Sequence, residues 1–224
     1  RSNPPSKEFL KAIKFLKKKH KLILIFDECT SGFRETYGGI HKKFNIFPDI
    51  CIYGKALGNG YGITAVVGKK NIMDYAQTTF ISSTFWTERV GPTAALKTLE
   101  IMQKTKSWET ISKKGKFFKQ ELSKLGQKYN LPLNVFGSDG IPSFNFGSKN
   151  NLKYKTYITQ EMLKSHILAS NVIYISVKHD LKKFNDYFNC LDPIFEKISE
   201  CESGRKISKL LEGPVCHTAF QRLN

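Results

Sequence analysis

The sequence predicts an α/β protein in which a partial sheet, parallel or mixed, is followed by a smaller α+β domain. Two short, continuously apolar runs over 22–26 and 50–53 are typical of strands buried on both faces, as in a parallel sheet. A helical pattern over 6–20 precedes the first run and supplies the crossover of a βαβ unit. Beyond residue 130, strand and helix patterns follow in the order β-β-α-β-α, which is that of an α+β layer.

The first part of the chain reads as helix, strand, glycine-rich loop, strand and a further strand. Ser6 is placed to cap the first helix, whose apolar residues Phe9, Ile13 and Leu16 fall on one face. The glycine-rich loop covers 32–39. The second apolar run leads through three alternate glycines into another strand candidate over 63–67.

The rest of the chain begins with a helical pattern over 93–129, which is interrupted near Ser107 and ends before Pro132. Further strands are expected over 133–136, 142–146 and 172–176, and further helices over 159–170 and 181–198. We therefore predict a partial large domain over 1–106 and an α+β small domain over 107–224.

Each apolar run delivers an ionisable residue at its carboxyl end, Asp27 after the first and Lys55 after the second. Ligands of open α/β sheets bind outside the carboxyl ends of the strands, so we expect these side chains side by side with little solvent around them. Burial disfavours the charged form of a lysine, which can then form Schiff bases, and a nearby aspartate can keep a pyridine nitrogen protonated. This pair is the binding signature of pyridoxal phosphate (PLP). The residues alone leave open that Asp27 is a cap or turn residue and Lys55 a surface residue.

Three segments resemble the class III aminotransferases, and among them glutamate-1-semialdehyde aminomutase and its aminotransferase relatives. The run 26–39, which begins Phe-Asp-Glu, resembles the family's aspartate segment, and 48–60, which contains Gly54-Lys55, resembles its lysine segment. Ser83-Thr84 ahead of a helix resembles the segment whose threonine contacts the cofactor phosphate. The order and spacing agree from residue 23 to residue 100, and the resemblance weakens beyond.

The resemblance implies a fold-type I PLP-dependent transferase whose large domain binds the cofactor. It implies that Lys55 is the catalytic residue and is bound to PLP as a Schiff base, and that Asp27 holds the ring nitrogen protonated. It also implies that Thr84 reaches the phosphate bound by the other subunit of a homodimer. A small-molecule amino donor and a carbonyl acceptor are the implied substrates.

The resemblance leaves the reaction open between two types. Residues 85–90, Phe-Trp-Thr-Glu-Arg-Val, stand where aminomutases have small residues, which favours a class III transaminase over a 2,1-aminomutase. The aminomutase is the alternative, and an inactive fragment acting as an interaction module is the alternative that is not an enzyme. The family's N-terminal half, with its phosphate cup, is absent from this sequence, which begins at Arg1. We therefore expect the C-terminal portion of a longer enzyme that is not competent alone.

The formal charge of +17 comes from 31 lysines and five arginines against 19 acidic residues, and the basic residues are spread over the whole length. Nucleic-acid binding favours a basic patch or stripe with arginine among aromatic residues. The densest basic run, 17–21, suits the solvated end of a helix, where the helix dipole favours cations. We therefore expect no nucleic-acid partner.

The five cysteines form no CxxC pair, and an odd number without paired spacing indicates a reducing, cytoplasmic setting. Cys29 and Cys51 lie in apolar stretches, where a free cysteine behaves as a small hydrophobic residue. Cys216-His217 has no second Cys/His pair nearby, so no metal is expected there. No apolar run is long enough to span a membrane, and no signal peptide is visible.

The remaining polar candidates are weaker. Arg34 could bind a substrate carboxylate, although an ion pair that holds the loop is its more ordinary role. Some class III transaminases carry an arginine for the substrate carboxylate near position 178, where this sequence has Lys178. His166 and His179 are expected to be structural or surface residues.

Overall fold

The computed structural model describes residues 4–85 and 87–217, which form two compact units. One unit comprises Pro5–Ser112, and the other begins at Lys113 and includes Pro4. The assignment of 1–106 to a cofactor-binding large domain and of 107–224 to a small domain stays a prediction. Within the described ranges, no helix is both long enough and apolar enough to cross a membrane.

The unit Pro5–Ser112 contains a three-stranded mixed sheet in the order β1-β2-β3. Its strands are β1 Ile25–Asp27, β2 Ile50–Tyr53 and β3 Ala65–Gly68. β1 pairs with β2 in parallel, and β2 pairs with β3 antiparallel. The helices are α1 Lys7–His20, α2 Lys70–Met73 and α3 Val90–Thr105, with 3₁₀ turns at Ile40–Phe44, Lys55–Leu57 and Asp74–Thr78. Cys51, Tyr53, Leu57 and Ala95 form a small core that joins the central strand to α3.

The second unit is built on the antiparallel hairpin of β4 Leu133–Phe136 and β5 Ser143–Phe146. Its helices are α4 Ser107–Lys128, which begins in the first unit, α5 Asn151–Lys164 and α6 Leu181–Glu202, followed by the 3₁₀ turn Ile207–Lys209. Large side chains that are at most 1% exposed fill the interior, namely Phe118, Leu122, Phe144, Tyr154, Phe195 and Ile198. This unit therefore has a hydrophobic core of its own.

Several local predictions are confirmed. The Ser6 hydroxyl accepts a hydrogen bond from the Phe9 amide at 3.1 Å and caps α1, which ends where Lys21 takes a left-handed conformation with φ of 51°. The helical run after residue 90 is broken at Lys106, as the sequence predicts near Ser107. The strands at Ile50–Tyr53 and Leu133–Phe136 have the predicted bounds.

The first predicted strand is wrong in length and in burial. It has three residues instead of five, and Ile25 is 52% exposed. Among the described strands, β1 has β2 as its one neighbour, so its outer edge and part of its surface face solvent. The apolar run predicts burial on both faces, but within residues 4–85 and 87–217 β1 is flanked by a strand on one side alone.

Two predicted elements of the second unit are also wrong. The helix predicted over 159–170 is α5, and it starts eight residues earlier because Tyr154, Ile158 and Met162 form its buried face. It ends before His166, whose φ is 59°. The strand predicted over 172–176 pairs with β5 through a single bridge at Val172, although Ile173 and Ile175 donate backbone hydrogen bonds to 140–142.

Candidate active site

The carboxyl ends of β1 and β2 meet at one edge of the sheet. The parallel register places Asp27 opposite Ile52, and β2 continues through Gly54 to Lys55. The Lys55 ammonium donates a hydrogen bond from Nζ to Thr30 Oγ1 at 2.6 Å. Because Thr30 belongs to the loop that follows Asp27, the structure brings the aspartate segment and the lysine segment together.

The predicted dryness of this edge is wrong for the chain as it stands. Asp27 and Lys55 are both exposed. The edge of β1 that faces away from β2 has no strand beside it within residues 4–85 and 87–217, so water reaches both side chains.

The backbone of Lys55 turns sharply as it leaves β2. Its φ of 44° lies in the left-handed region, which is uncommon for a residue with a side chain. Two backbone hydrogen bonds hold the turn, from Leu57 N to the Gly54 carbonyl at 3.0 Å and from Gly58 N to the Lys55 carbonyl at 3.2 Å. Strained residues of this kind persist where the surroundings fix them, and they cluster at functional sites.

Asp27 accepts a hydrogen bond within the turn that follows β1, and both Asp27 and Lys55 lie close enough to Cys29 to affect its pKa. Its Oδ1 accepts a hydrogen bond from the Cys29 amide at 3.1 Å, so it does act as a turn residue. A carboxylate has a second oxygen that can accept a hydrogen bond from a ligand. Burial and then the hydrogen bond to Asp27 raise the pKa of the Cys29 thiol, whereas the Lys55 charge acts to lower it.

Glu28, the neighbour of Asp27, is 2% exposed and anchors the glycine-rich loop from inside. Its Oε2 accepts hydrogen bonds from the Ile40 amide at 2.6 Å and the Ser31 hydroxyl at 3.0 Å. Its Oε1 accepts from the His41 amide at 3.0 Å and lies 2.8 Å from His41 Nδ1. The sequence does not predict this contact, because Glu28 and His41 are 13 residues apart and share no periodic pattern.

Arg34 is tied into its own loop. Its Nε donates to the Thr30 carbonyl at 2.6 Å, the same residue whose hydroxyl accepts from Lys55. Tyr37, in the same loop, is half-buried, and its ring centroid lies 5.6 Å from that of Trp108. Both contacts fit side chains that shape the loop.

Thr84 lies on an exposed stretch between the 3₁₀ turn Asp74–Thr78 and α3. The described residues include no hydrogen bond that joins Thr84 to Asp27 or Lys55. Glu88 caps α3 with hydrogen bonds from the Val90 amide at 2.5 Å and the Gly91 amide at 3.0 Å. Trp86, part of the run that departs from the aminomutase pattern, lies outside the described residues.

The histidines and the tail of the second unit have structural partners or lie at the surface. His179 Nδ1 accepts a hydrogen bond from the Ser176 amide at 3.3 Å, and burial, then the charges of Lys114 and Lys183, lower its pKa. His166 is exposed. The Cys216 amide donates to Thr156 Oγ1 at 2.9 Å, so the tail before residue 218 lies along α5.

Neither of two cavities that open on the described part of the first unit contains both Asp27 and Lys55. The larger, about 730 Å³, lies at the other end of the sheet, among Lys14, Lys18, Lys21 and Asp49. The smaller, about 270 Å³, is lined by Asp27, Glu28 and His41 together with apolar residues of α1. The candidate site is thus an open edge in this chain.

Known proteins with similar sequences include an aminotransferase and several aminomutases. The chain is 36% identical over 157 residues to the 3-aminobutyryl-CoA aminotransferase of Cloacimonas acidaminovorans. The aligned part covers 70% of this chain and 38% of that protein. The chain is 29% identical over 212 residues to the glutamate-1-semialdehyde 2,1-aminomutase of Saccharolobus islandicus, which is 87% of this chain and 49% of that protein. The chain thus spans half or less of the length of these relatives.

The fold is also that of a solved PLP protein. The FumI protein of Sphingopyxis sp., solved in its PLP internal aldimine form, superposes with a TM-score of 0.82 over 91% of this chain and 50% of its own, at 23% identity. This likeness confirms the predicted α/β fold of type I. The family model for Aminotransferase class-III matches residues 2–177. On this match, which covers more than half of its residues, the chain belongs to the class III aminotransferases.

Proposed function

We propose that this chain supplies the lysine-bearing part of a PLP-dependent aminotransferase, with Lys55 as the residue that binds the cofactor covalently. The observation that carries the proposal is the 2.6 Å hydrogen bond between Lys55 Nζ and Thr30 Oγ1, which places the amine beside the loop of Asp27. Membership of the class III family supplies the class of reaction.

The residues at this edge fit PLP. An amine and a carboxylate follow adjacent parallel strands, which is where ligands of open sheets bind. The nearby glycines leave room, since a Cβ added at Gly60 or Gly62 would meet no atom within 4 Å. Bound PLP supplies an electron sink for the substrate carbon that carries the amine. Asp27 would accept a hydrogen bond from the ring N–H, and Lys55 Nζ would hold and move the proton at that carbon.

We assign Thr84 to the phosphate bound by a second subunit, so the active form is a homodimer. The stretch around Thr84 supports this assignment because Phe80 is 95% exposed and Phe85 is 77% exposed. Exposed clusters of large apolar residues mark interaction sites. A second copy that covers them would bring Thr84 to a site on its partner.

Amino-group transfer between a donor amine and a carbonyl acceptor is the reaction that the relatives favour. The aminotransferase of Cloacimonas is 36% identical and the aminomutase of Saccharolobus 29%. 3-Aminobutyryl-CoA, named in the first of these, is therefore the first donor to test. The 2,1-aminomutase is the second candidate, supported by its longer match of 212 residues. We also place the protein in the cytoplasm, which the free state of all five cysteines supports.

The test uses the chain joined behind the N-terminal half of the Cloacimonas relative, loaded with PLP. Adding 3-aminobutyryl-CoA and a 2-oxo acid should yield the amino acid of that oxo acid, whereas a mutase would isomerise its substrate without consuming an acceptor. Lys55→Ala should lower the rate by about 10²–10⁴-fold because the proton carrier is lost. Lys97→Ala is the matched control, since Lys97 is an exposed lysine paired with Glu100.

Two outcomes would overturn the proposal. Full activity of Lys55→Ala would show that another residue carries the chemistry. Failure of the joined protein to bind PLP at all, with its fold intact by circular dichroism, would favour the interaction module.

A further inference from the structure

Three buried side chains beneath the candidate site carry the donor atoms of a metal centre. Glu28, His41 and Cys51 offer an oxygen, a nitrogen and a sulfur that all lie within 4.8 Å of one another. The residues are 2%, 7% and 4% exposed. Burying a carboxylate, an imidazole and a thiol together is costly unless each of them has a polar partner.

The spacing of the donor atoms is close to that of a tetrahedral zinc site. Glu28 Oε1 lies 2.8 Å and Cys51 Sγ 3.8 Å from His41 Nδ1. Zinc binds oxygen and nitrogen at about 2.0–2.1 Å and sulfur at about 2.3 Å, so tetrahedral ligand atoms are about 3.3–3.7 Å apart. Shifts of roughly 1 Å or less would bring the three atoms to these separations.

The surroundings hold the ligands in place. The Ile40 and His41 amides and the Ser31 hydroxyl all donate to the Glu28 carboxylate, and such hydrogen bonds orient a carboxylate that binds a metal. His41 folds back over Gly39 so closely that a Cβ there would lie 2.2 Å from Nδ1. The glycine is thus required for the imidazole to reach Glu28 and Cys51.

The cluster has a route to solvent and room for a further ligand. Glu28, Ser31 and His41 line the smaller cavity, whose volume of about 270 Å³ is enough for several waters. Cys51 lies behind His41 on the central strand. An ion entering from the cavity would meet the carboxylate and the imidazole first and the sulfur last.

We propose that Glu28, His41 and Cys51 bind a zinc ion, with water from the cavity as the fourth ligand. Thiolate and imidazole donors favour zinc over magnesium or calcium. Binding releases the thiol proton of Cys51 to solvent, and the proton that His41 Nδ1 shares with Glu28 moves to Nε2, so the imidazole stays neutral and no oxidation state changes. The ion would tie β1, β2 and the loop at 39–41 together directly below Asp27.

The same nitrogen, Nδ1, faces both Glu28 and Cys51, which separates this cluster from a catalytic triad. In a triad the two ring nitrogens of the histidine serve the nucleophile and the carboxylate separately. Convergence of oxygen and sulfur on one nitrogen suits a metal ion or a shared proton. Without metal, the cluster is a hydrogen-bonded anchor, and this is what the test must distinguish.

The test is metal binding by the untagged 224-residue chain, with no need of PLP or substrate. Cobalt(II) serves as a spectroscopic substitute for zinc. We expect one equivalent to give a thiolate-to-cobalt charge-transfer band and the intense visible bands of a tetrahedral site, both abolished by one equivalent of zinc. Cys51→Ser should remove the charge-transfer band and weaken zinc binding at least about 100-fold, because losing a ligand exceeds the 10–100-fold effect of losing its supports.

Cys201→Ser is the matched control, since Cys201 is an equally buried thiol in the other unit. It should bind cobalt and zinc as the unchanged chain does. Absence of the charge-transfer band in the unchanged chain would overturn the proposal without reference to any variant. A charge-transfer band that survives in Cys51→Ser would also overturn the proposal, because the sulfur ligand would then belong to another cysteine.

Discussion

At the scale of single residues, the adjacent acids Asp27 and Glu28 have opposite environments because consecutive strand residues point to opposite sides. The Glu28 amide donates to the Ile52 carbonyl at 2.8 Å and extends the ladder of β1 and β2 by one residue. This turns Glu28 inward, where it is 2% exposed, and leaves Asp27 outward. One acid can then hold the loop while the other faces a ligand.

Gly39→Ala is expected to destabilise the first unit by about 1–3 kcal/mol, the usual cost of overpacking a buried position. The added Cβ would lie 2.2 Å from His41 Nδ1 and 2.7 Å from Glu28 Oε1, and both side chains are buried with little room to move. Urea unfolding followed by circular dichroism measures the loss.

Gly62→Ala is the control for this change, since its Cβ would meet nothing within 4 Å. It should leave the urea midpoint unchanged within about 0.5 kcal/mol. Equal midpoints for the two alanine variants would show that His41 does not occupy the space above Gly39.

The sequence predicts the meeting of Asp27 and Lys55 because the carboxyl ends of parallel strands share an edge, a rule that needs no contact information. It does not predict the cluster of Glu28, His41 and Cys51. Those residues come from three segments, and a side-chain contact between segments leaves no periodic trace in any of them. The sequence also does not predict that Lys55 is exposed, because its exposure depends on whether another segment packs against the outer edge of β1.

At the scale of elements, the buried Asp49 connects four parts of the first unit. It lies just before β2, and its carboxylate accepts from the Leu24 amide at 2.9 Å. Lys17 of α1 and Lys69 after β3 each pair with it at 2.8 Å. Burial alone would raise the pKa of Asp49, but this hydrogen bond and the two ion pairs hold it well below its usual value.

Stability is therefore expected to depend on Asp49 ionisation in acid. The folded pKa lies below the unfolded one, so the stabilisation is complete above the unfolded pKa and is lost as pH falls from about 5. At pH 7, Asp49→Asn should cost about 2 kcal/mol, since hydrogen bonds to a charged group are lost. The difference in the free energy of unfolding between the unchanged chain and Asp49→Asn, measured in urea, should shrink as pH falls to about 3.

A difference in the free energy of unfolding that stays constant from pH 7 to pH 3 would contradict this account. The loss of stability in Asp49→Asn would then come from altered packing and not from the lost charge. Glu100→Gln is a suitable control, since Glu100 forms an exposed ion pair with Lys97. Such pairs contribute about 0–1 kcal/mol, so its midpoint should change little.

The sequence predicts an element correctly where a local signal is enough to set its bounds. The local signal for α1 is its Ser6 cap, and the local signal for β4 is a short apolar run before a turn. α5 was misplaced because its buried face begins with Tyr154 and Tyr157, aromatic residues that are as typical of strands as of helices. Its position is set by burial against β5, which directly precedes it in the chain, and against the more distant α6.

At the scale of the whole molecule, the first unit exposes more apolar surface than the second. Phe9, Phe15 and Ile25 are 57%, 60% and 52% exposed on α1 and β1. The matching part covers 38% and 49% of the two relatives, which agrees with a further part of such proteins that covers this surface.

We expect the chain alone to bind a hydrophobic dye such as anilinonaphthalene sulfonate and to self-associate with rising concentration. Joining the N-terminal half of the Cloacimonas relative should lower the dye fluorescence per chain and give a discrete dimer by sedimentation. Unchanged dye binding in the joined, folded protein would mean that this surface has another partner.

The central claim is that Lys55 is the residue to which the cofactor is attached, and borohydride trapping tests it most directly. The joined protein is incubated with PLP, reduced, digested and analysed by mass spectrometry. We predict a pyridoxyl mass increment confined to the peptide that contains Lys55, absent in Lys55→Ala and present in Lys97→Ala. An increment spread over many of the 31 lysines, or retained in Lys55→Ala, would contradict the account.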